Sequence, residues 1–530
     1  MKKGRPSKEF EEYADRAKRY KASELKSKYP QQQLLMATNM QVDKNKSYIN
    51  STKALALMMD ADLTKYQYET LKYGLQKEGY DILPPYSKVL EEKKKCYPDE
   101  IKVTEKDAHV SLQSLLDHTA QRLFKSIPDL DIAFMPESSL TLTSKWGCDG
   151  SSGHSEYNQP LPEGVNDNSL LLVSMVPLIL FSSSGEEYWR NKSPSSTRYC
   201  RPISFEFTKE TKDKVLEVYE DMKMKIHALK DTYIVIGNKE FFVKHNLLFT
   251  MLDGKTAQTL TATPSAAVCY ICKAKPTEMN NLDKVLTKSG DSDACQLGIS
   301  SLHARIKFME CILHIAYNMP FRKWSAKDPE NKILKNENKK RIQKEFKEKM
   351  GLRVDFVQQG TGTSNDGNTS RRFFANPALV SLITGVSEEL IERFRIILQI
   401  ITCSQRIDST KFNEYALDTA KLFVSIYSWY YMPVTVHKIL IHGKQIIDAA
   451  VLPVGMLSEE AEEARNKDYR KFRLSFSRKN SRISTNTDVL NRLLVTSDPF
   501  LTSLRKNPNK ESFELDNIVK EMNKMLNNFY

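Results

Sequence analysis

The sequence predicts a multidomain α+β protein, on three observations. Residues 139–252 carry strand patterns interrupted by one helical stretch, whereas from Leu302 onward the pattern is mainly helical. Two short segments, Cys269-Tyr-Ile-Cys272 and His437-Lys-Ile-Leu-Ile-His442, flank most of that helical stretch and supply two thiolates and two imidazoles. That is the ligand set of a closed tetrahedral zinc site. Acidic residues stand on both sides, at Asp149, Glu210, Asp253 and Glu463. The layout is that of a metal-dependent catalytic domain split open by a largely helical, zinc-stapled insertion.

The elements follow in order. Residues 1–30 open with Gly4-Arg5-Pro6 and continue as a basic helical pattern from Lys8 to Lys28 that includes Arg16 and Arg19. An extended Gly-Arg-Pro segment is narrow enough for its Arg to enter a minor groove while the helix meets phosphates; a solubilising tail has the same composition. Residues 31–105 read as helical, with Ala54-Leu-Ala-Leu-Met-Met as an apolar core and Pro84-Pro85 as a break. Val110 to Phe124 reads as a further helix. Strand character begins at Ser139, where Leu140-Thr-Leu-Thr alternates before Trp146-Gly-Cys-Asp149-Gly150. Ser169–Phe181, Ile203–Phe207, Tyr233–Ile236 and Phe241–Leu252 are further strands, with a helix over Glu210–Leu229. Beyond Leu302, helices are predicted over Asn331–Met350, Pro377–Thr402, Phe412–Tyr431, Ser458–Ser475 and Ile518–Leu526. The segment from Gly360 to Thr369 is a polar loop.

At 530 residues the chain is long enough for several cores. The longest apolar stretch, Leu170–Phe181, is too short to span a bilayer and contains Ser174 and Pro177, so a buried strand is expected and no membrane partner. Met1-Lys-Lys-Gly-Arg-Pro6 has no apolar stretch behind it, so no secretory signal is expected there. Net charge is +13. Residues 1–30 hold ten Lys/Arg against five Asp/Glu, and residues 465–510 hold twelve against three aspartates. Basic clusters at both ends favour a polyanionic partner, with nucleic acid first among the candidates. Of the eight cysteines only Cys269 and Cys272 are closely spaced. That pattern fits reduced thiols with one pair on metal, not a disulfide framework.

Asp149 and Asp253 each end a predicted strand and each precede a glycine. Aspartates at neighbouring strand ends can converge on a pair of hard cations, the requirement of two-metal phosphoryl transfer. Asp-Gly is also an ordinary turn. In the run Ser458-Glu-Glu-Ala-Glu-Glu-Ala-Arg-Asn-Lys, spacing alone does not choose among Glu459, Glu460, Glu462 and Glu463.

Taken in order, Trp146-Gly-Cys-Asp-Gly-Ser-Ser-Gly-His-Ser, Cys269-x2-Cys272, His437-x4-His442 and Glu463-Ala-Arg-Asn-Lys resemble the Transib superfamily of DDE transposases, and are similar to the catalytic subunit of the V(D)J recombinase. The resemblance covers nearly the whole chain, Gly4-Arg5-Pro6 included. It implies an RNase H-like catalytic domain in which Asp149, Asp253 and Glu463 hold two Mg²⁺ or Mn²⁺ ions, Asp149 bridging them. Glu210 matches an additional active-site carboxylate, with Lys209 where the recombinase has an acid. Cys269, Cys272, His437 and His442 would hold one structural Zn²⁺. Leu302-His303 resembles a Leu-His pair opening the insertion.

The domains implied are an end-DNA-binding domain over 1–65, a helical dimerisation and pre-catalytic region over 66–138, the first part of the RNase H-like domain over 139–260, the zinc-binding insertion over 261–457, and the final catalytic helix with a basic tail over 458–530. The partners implied are double-stranded DNA, as terminal inverted repeats and as target, and a second copy of the chain in a nuclear homodimer, with no accessory protein required. The expected DNA contacts are Arg5, Lys8, Arg16, Arg19, Arg470, Lys471 and Arg473, and Lys339-Lys340-Arg341 reads either as a further contact or as a solvated face. The reaction implied is nicking by metal-activated water, hairpin formation on the flank by the freed 3′-hydroxyl, and joining of the released end to target DNA. A catalytically inactive DNA-binding descendant of such a transposase fits the same residues, as does a zinc-stabilised structural or RNA-binding protein with acidic turns.

Overall fold

The computed structural model describes residues 49–128, 132, 135, 138–153, 166–358, 362–506 and 515–522. Arg5, Lys8, Arg16, Arg19 and the Gly4-Arg5-Pro6 segment lie outside the described residues. The chain divides into two units, Met1–Glu91 and Glu92–Tyr530. The division falls inside the 66–138 span expected as one region.

In the first unit, Asn50 starts the helix Ser51–Asp60 by accepting from the Lys53 amide at 2.7 Å. Ala54, Leu55, Met58 and Met59 are buried, as the apolar run requires, while Leu57 faces outward. A reciprocal cap between Thr64 and Gln67 opens the helix Lys65–Lys77. Its Tyr68 hydroxyl donates to the Pro84 carbonyl at 2.8 Å.

The second unit is mixed α+β. Its main sheet is curled and mixed, built from β1 (Ile101–Val103), β2 (Asp107–Val110), β3 (Ser139–Ser152), β4 (Ser169–Ser182), β5 (Glu187–Arg190), β6 (Arg201–Glu206), β7 (Thr232–Ile236) and β8 (Lys239–Met251). The order is β1-β2-β6-β4-β3-β8-β7, with β5 paired to β4. β4 runs antiparallel to both β3 and β6, whereas β8 runs parallel to β3. The helix Lys212–His227 crosses from β6 to β7, and Thr211 caps it. The continuous apolar run of β4 reflects burial on both faces. On one side, Trp146, Cys148, Leu171 and Phe205 pack with Tyr469 and Phe472 of the helix Glu460–Ser475 and with Val489, Leu490, Leu493 and Leu494 of the helix Arg482–Thr496. Elsewhere on the sheet, Leu123 and Phe124 of the helix Leu112–Phe124 meet Leu140, Leu142, Phe241 and Val243.

Two expectations are corrected here. Residues 101–110, read as the end of a helical region and the start of a helix, are an antiparallel hairpin that extends the sheet beyond β6. The stretch after Ser475 is not simply a basic tail, because the helix Arg482–Thr496 completes a core.

Between β8 and the helix Glu460–Ser475 stands a helical insertion with its own hydrophobic core, from Leu252 to Val454. Its longer helices are Ser301–Asn318, Pro329–Met350, Glu388–Thr402, Ser409–Ile426 and Val434–Ala449. The continuous helix expected over 377–402 is two helices, broken where Gly385 caps Pro377–Thr384 at φ +72°. Val519 and Met522 of the helix Asn517–Met522 return to this core. Among the described residues no single helix is long and apolar enough to cross a membrane.

Candidate functional site

Two clusters of ligand-bearing side chains occur in the second unit. The first is buried. Cys269 and Cys272 lie on a tight turn in which the Lys273 amide donates to the Cys269 carbonyl at 2.8 Å and the Cys269 amide to the Ala274 carbonyl at 3.0 Å. Lys273 takes the left-handed conformation, φ +56°, that this reversal requires. His437 and His442 come from the helix Val434–Ala449, their ring centroids 5.3 Å apart. The four ligand atoms lie within 4.8 Å of one another, and all four residues are buried. The Cys272 sulfur is 3.4 Å from His437 Nε2.

This group could hold a zinc ion, and the donor chemistry fits one. The contact from Cys272, followed by those from His437 and His442, draws the Cys269 thiol far below its usual range. The neighbouring Cys269, together with burial, drives Cys272 upward. One thiol is thus favoured as thiolate at the expense of the other, and a bound cation is what would let both buried sulfurs ionise. His442 Nε2 faces the sulfurs without a well-formed hydrogen bond, while its Nδ1 meets Gln445 Oε1 at 2.9 Å, the outer contact that orients a ligating imidazole. A Cβ on Gly290 would stand 2.9 Å from Gln445 Oε1, so the glycine makes room for that contact.

The second cluster is acidic and more open. β3 and β8 are parallel neighbours with Gly147 opposite Met251; Asp253 lies two residues further on, just past the end of β8, whereas Asp149 does not end its strand as expected but lies within β3, paired with Leu172 of β4. The close approach depends on glycine, because a Cβ at Gly147 would lie 1.7 Å from the Met251 carbonyl oxygen. Asp253 caps the helix Gly254–Leu260, accepting from the Thr256 amide at 2.7 Å. Glu210 precedes the helix Lys212–His227 and lies over Gly150, where a Cβ would meet its side chain at 2.6 Å. Lys255 pairs with Glu210 at 3.1 Å. Burial, then the charges of Asp253, Glu210 and Glu463, push the Asp149 carboxyl up to about 7, opposed by a hydrogen bond from Asn466.

The four glutamates of the 459–463 run part company on their helix. Glu459 accepts from the Ser300 hydroxyl and meets His303 Nδ1 at 3.1 Å. Glu460 pairs with Arg371 at 3.0 Å. Glu462 points inward, fully buried, its carboxyl held well above the usual range by burial and by the Asp149 charge. Glu463 is half-buried, pairs with Lys467 at 3.4 Å, and its charge adds to those that raise the Asp149 carboxyl. Among the described residues, only the Cys/His group gathers three or more ligand atoms within 4.8 Å; the acidic cluster is not drawn so tight.

The structure also adds residues that spacing did not single out. The Asn466 amide donates to Asp149 Oδ2 at 2.6 Å; its position three residues after Glu463 puts it on the same helix face. Lys145, fully buried, lies on the Asp149 face of β3 by strand alternation and donates to the Ser458 carbonyl at 2.6 Å. Burial draws its ammonium down to about 8.

Among the basic residues expected on the surface, Arg470 and Lys471 are exposed, but Arg473 is not. Its guanidinium is buried against Phe207 and donates to Asp167 at 2.6 Å. It stands four residues after Tyr469, which packs in the sheet core, and so lies toward the core side of the helix. Lys339 and Arg341 are ion-paired, with Asp355 and Glu345 respectively, each at 2.6 Å.

No protein-family model matches this chain, and no curated protein matches its sequence.

Proposed function

We propose that the protein is a metal-dependent DNA transposase of the DDE type, cutting at terminal inverted repeats and joining the released ends to target DNA. The observation that carries this reading is the gathering of Asp149, on β3, with Asp253, just past the end of the parallel neighbour β8, and with Glu210 and Glu463, whose charges all act on the Asp149 carboxyl. An RNase H-like arrangement is supported by the order β6-β4-β3-β8, its antiparallel and parallel pairings, and a helix between β6 and β8. The two core systems, one on the sheet and one in residues 252–454, support a catalytic domain split by an insertion.

Asp149, Asp253 and Glu463 would hold two Mg²⁺ or Mn²⁺ ions, and the mutual repulsion at Asp149 is the property a divalent cation relieves. Bound cations supply activation of the attacking oxygen and stabilisation of the leaving oxygen in phosphoryl transfer. The protein supplies geometry. Asn466 fixes one Asp149 oxygen, Asp253 is oriented by its helix cap, and Lys145 ties the start of the Glu463 helix to the strand of Asp149. In the first step a water oxygen attacks phosphorus and the bond to the 3′ oxygen breaks. In the next, that 3′-hydroxyl attacks a phosphorus of the opposite strand and displaces its 3′ oxygen, which takes up the proton, leaving a hairpin on the flank and a free 3′-hydroxyl on the released end. A homodimer belongs to the same reading, since two transposon ends must be held together while they react, and so does action in the nucleus, where the DNA is.

The test is cleavage of a labelled duplex carrying a terminal repeat and flank, by wild type and Asp149→Ala, with Mg²⁺, Mn²⁺ or EDTA. Metal-dependent nicks and flank hairpins from wild type alone support the reading. End-specific binding without cleavage by either protein replaces it with an inactive DNA-binding descendant.

A further inference from the structure

Trp324 stands on the surface of the helical insertion in a loop between the helices Ser301–Asn318 and Pro329–Met350, and 39 % of it is exposed. A large aromatic ring in a turn of this kind is ordinarily folded inward. Here it rests against two tyrosines, its centroid 4.6 Å from Tyr430 and 5.0 Å from Tyr431. Arg322, Lys323 and Lys327 on the same loop are exposed. The only acids nearby in sequence are Asp328, 3.6 Å from Lys323, and Glu330.

The loop is strained and braced. Arg322 is held at φ +47°, a conformation costing roughly 1–2 kcal/mol for a residue with a side chain. Buried Asn318 donates to the carbonyls of Lys323 at 3.2 Å and Trp324 at 2.9 Å, and its own carbonyl accepts from the amides of Phe321 and Arg322. Behind the ring, the Asn280 amide donates to the Tyr430 carbonyl at 2.9 Å and its carbonyl oxygen accepts from the Met432 amide at 2.8 Å. Asn280 follows closely on the Cys269–Cys272 turn, so the metal-binding segment and the aromatic loop are fastened together. Strain kept in place by such over-determined contacts is a mark of a working surface.

From this we infer that Trp324, with Tyr431 beside it and Arg322, Lys323 and Lys327 around it, is a stacking platform for an unpaired nucleotide in single-stranded DNA. A base needs one π-face, and the adjoining phosphates need cations within a side chain's reach; the loop offers both, with few acids to repel them. A protein partner would require a wider apolar patch, whereas the surroundings of Trp324 are charged. The choice of DNA over RNA rests on the proposed function above; the platform itself does not.

The experiment measures binding of a fluorescent oligothymidylate to the full chain, using wild type, Trp324→Ala, Trp324→Phe and Lys323→Ala/Lys327→Ala. Zinc content and melting temperature are measured on each variant, and duplex DNA and oligouridylate serve as comparison ligands. Trp324→Ala is expected to weaken single-strand binding by roughly five- to a hundredfold, the range for removing one base stack, and Trp324→Phe to restore most of it. Duplex affinity should not change. The double lysine variant should flatten the salt dependence by about 0.7 for each phosphate no longer neutralised. Equal affinity of wild type and Trp324→Ala for the oligothymidylate overturns the proposal, as does binding confined to duplex or to RNA. Because no cleavage is read, a catalytically silent protein that still loses single-strand binding on Trp324→Ala leaves this inference standing while the transposase reading falls.

Discussion

The side-chain amide of Asn466 donates to Asp149 Oδ2 at 2.6 Å, joining the helix Glu460–Ser475 to β3 across the whole helical insertion. The bond fixes which turn of the helix faces the acidic cluster. It leads to a sharp distinction between two adjacent glutamates. Glu463→Gln should lower metal-dependent cleavage roughly a hundred- to a thousandfold, the scale seen when a charge-stabilising group at a reacting centre is removed. Glu462→Gln keeps the shape of a carboxyl whose charged form burial already disfavours, so cleavage should stay within about tenfold of wild type. Single-turnover cleavage of a terminal-repeat duplex measures both. Equal loss in the two variants would mean that the helix register is wrong.

Metal content tests the buried cluster. Purified protein should carry close to one zinc per chain, and Cys272→Ser or His442→Ala should lose it. Because the ligands tie the Cys269–Cys272 turn to the helix Val434–Ala449, loss should lower the melting temperature by several degrees. Elemental analysis alongside thermal unfolding reads this. Wild-type protein with far less than one zinc would remove the site.

Arg470 and Lys471 differ from Arg473 in what they face. Replacing Arg470 and Lys471 by alanine should reduce the slope of log K against log[salt] for duplex binding by about 0.9 for each phosphate left without its cation. Arg473→Ala should leave that slope alone and instead cost stability, on the order of a few kcal/mol, by depriving Asp167 of a buried partner it shares with Arg482. Fluorescence anisotropy across a salt series and chemical denaturation separate the two outcomes.

His118 gives the fold an acid sensitivity. Its Nδ1 accepts from Arg201 at 3.1 Å and its Nε2 meets the Lys95 carbonyl at 3.0 Å, while Asp498 and Arg122 complete the surrounding charges. Burial, then Arg201, draws the imidazole down to about 3 from an ordinary value near 6.5. A folded-state value below the unfolded one means that this contribution is fully present above pH 6.5 and is lost as pH falls toward 3. His118→Gln, which can accept and donate in the same places without titrating, should lessen the drop in melting temperature between pH 7.5 and 5 by about a few degrees. An unchanged pH profile would show that the imidazole is not excluded from protonation.

Much of this architecture was legible in the sequence wherever a single pattern ruled a long segment. β4 was visible in the long apolar run Leu170–Phe181, and the helix Pro329–Met350 in the Lys/Glu-rich helical pattern of residues 331–350. The hairpin of β1 and β2 was not. Lys102, Lys106, Asp107 and His109 make it look like a polar connection, and as the edge of the sheet it buries little more than Ala108 and Val110. The break at Gly385 was signalled by Gly followed by Ser387, a stop and a cap, but two apolar helices in tandem concealed it. The helix Arg482–Thr496 was hidden by its charge, although Val489, Leu490, Leu493 and Leu494 trace a helical stripe. At the candidate sites, residue types and the Transib resemblance singled out the Cys/His and carboxylate residues. The inward turn of Glu462 and the outward turn of Glu463 depend on how the helix seats against β3 and β4, which only packing decides.

The seating of that helix has a consequence for how the molecule comes into being. β3 with Asp149, and β8 with Asp253 just after it, leave the ribosome early, whereas Glu463 and Asn466 arrive only after residues 254–462 have been made. A nascent chain therefore carries half an acidic cluster, and the remainder docks only when the long middle segment has been threaded out and folded. Under the reading proposed above, the order of synthesis itself keeps an unfinished polypeptide from cutting anything.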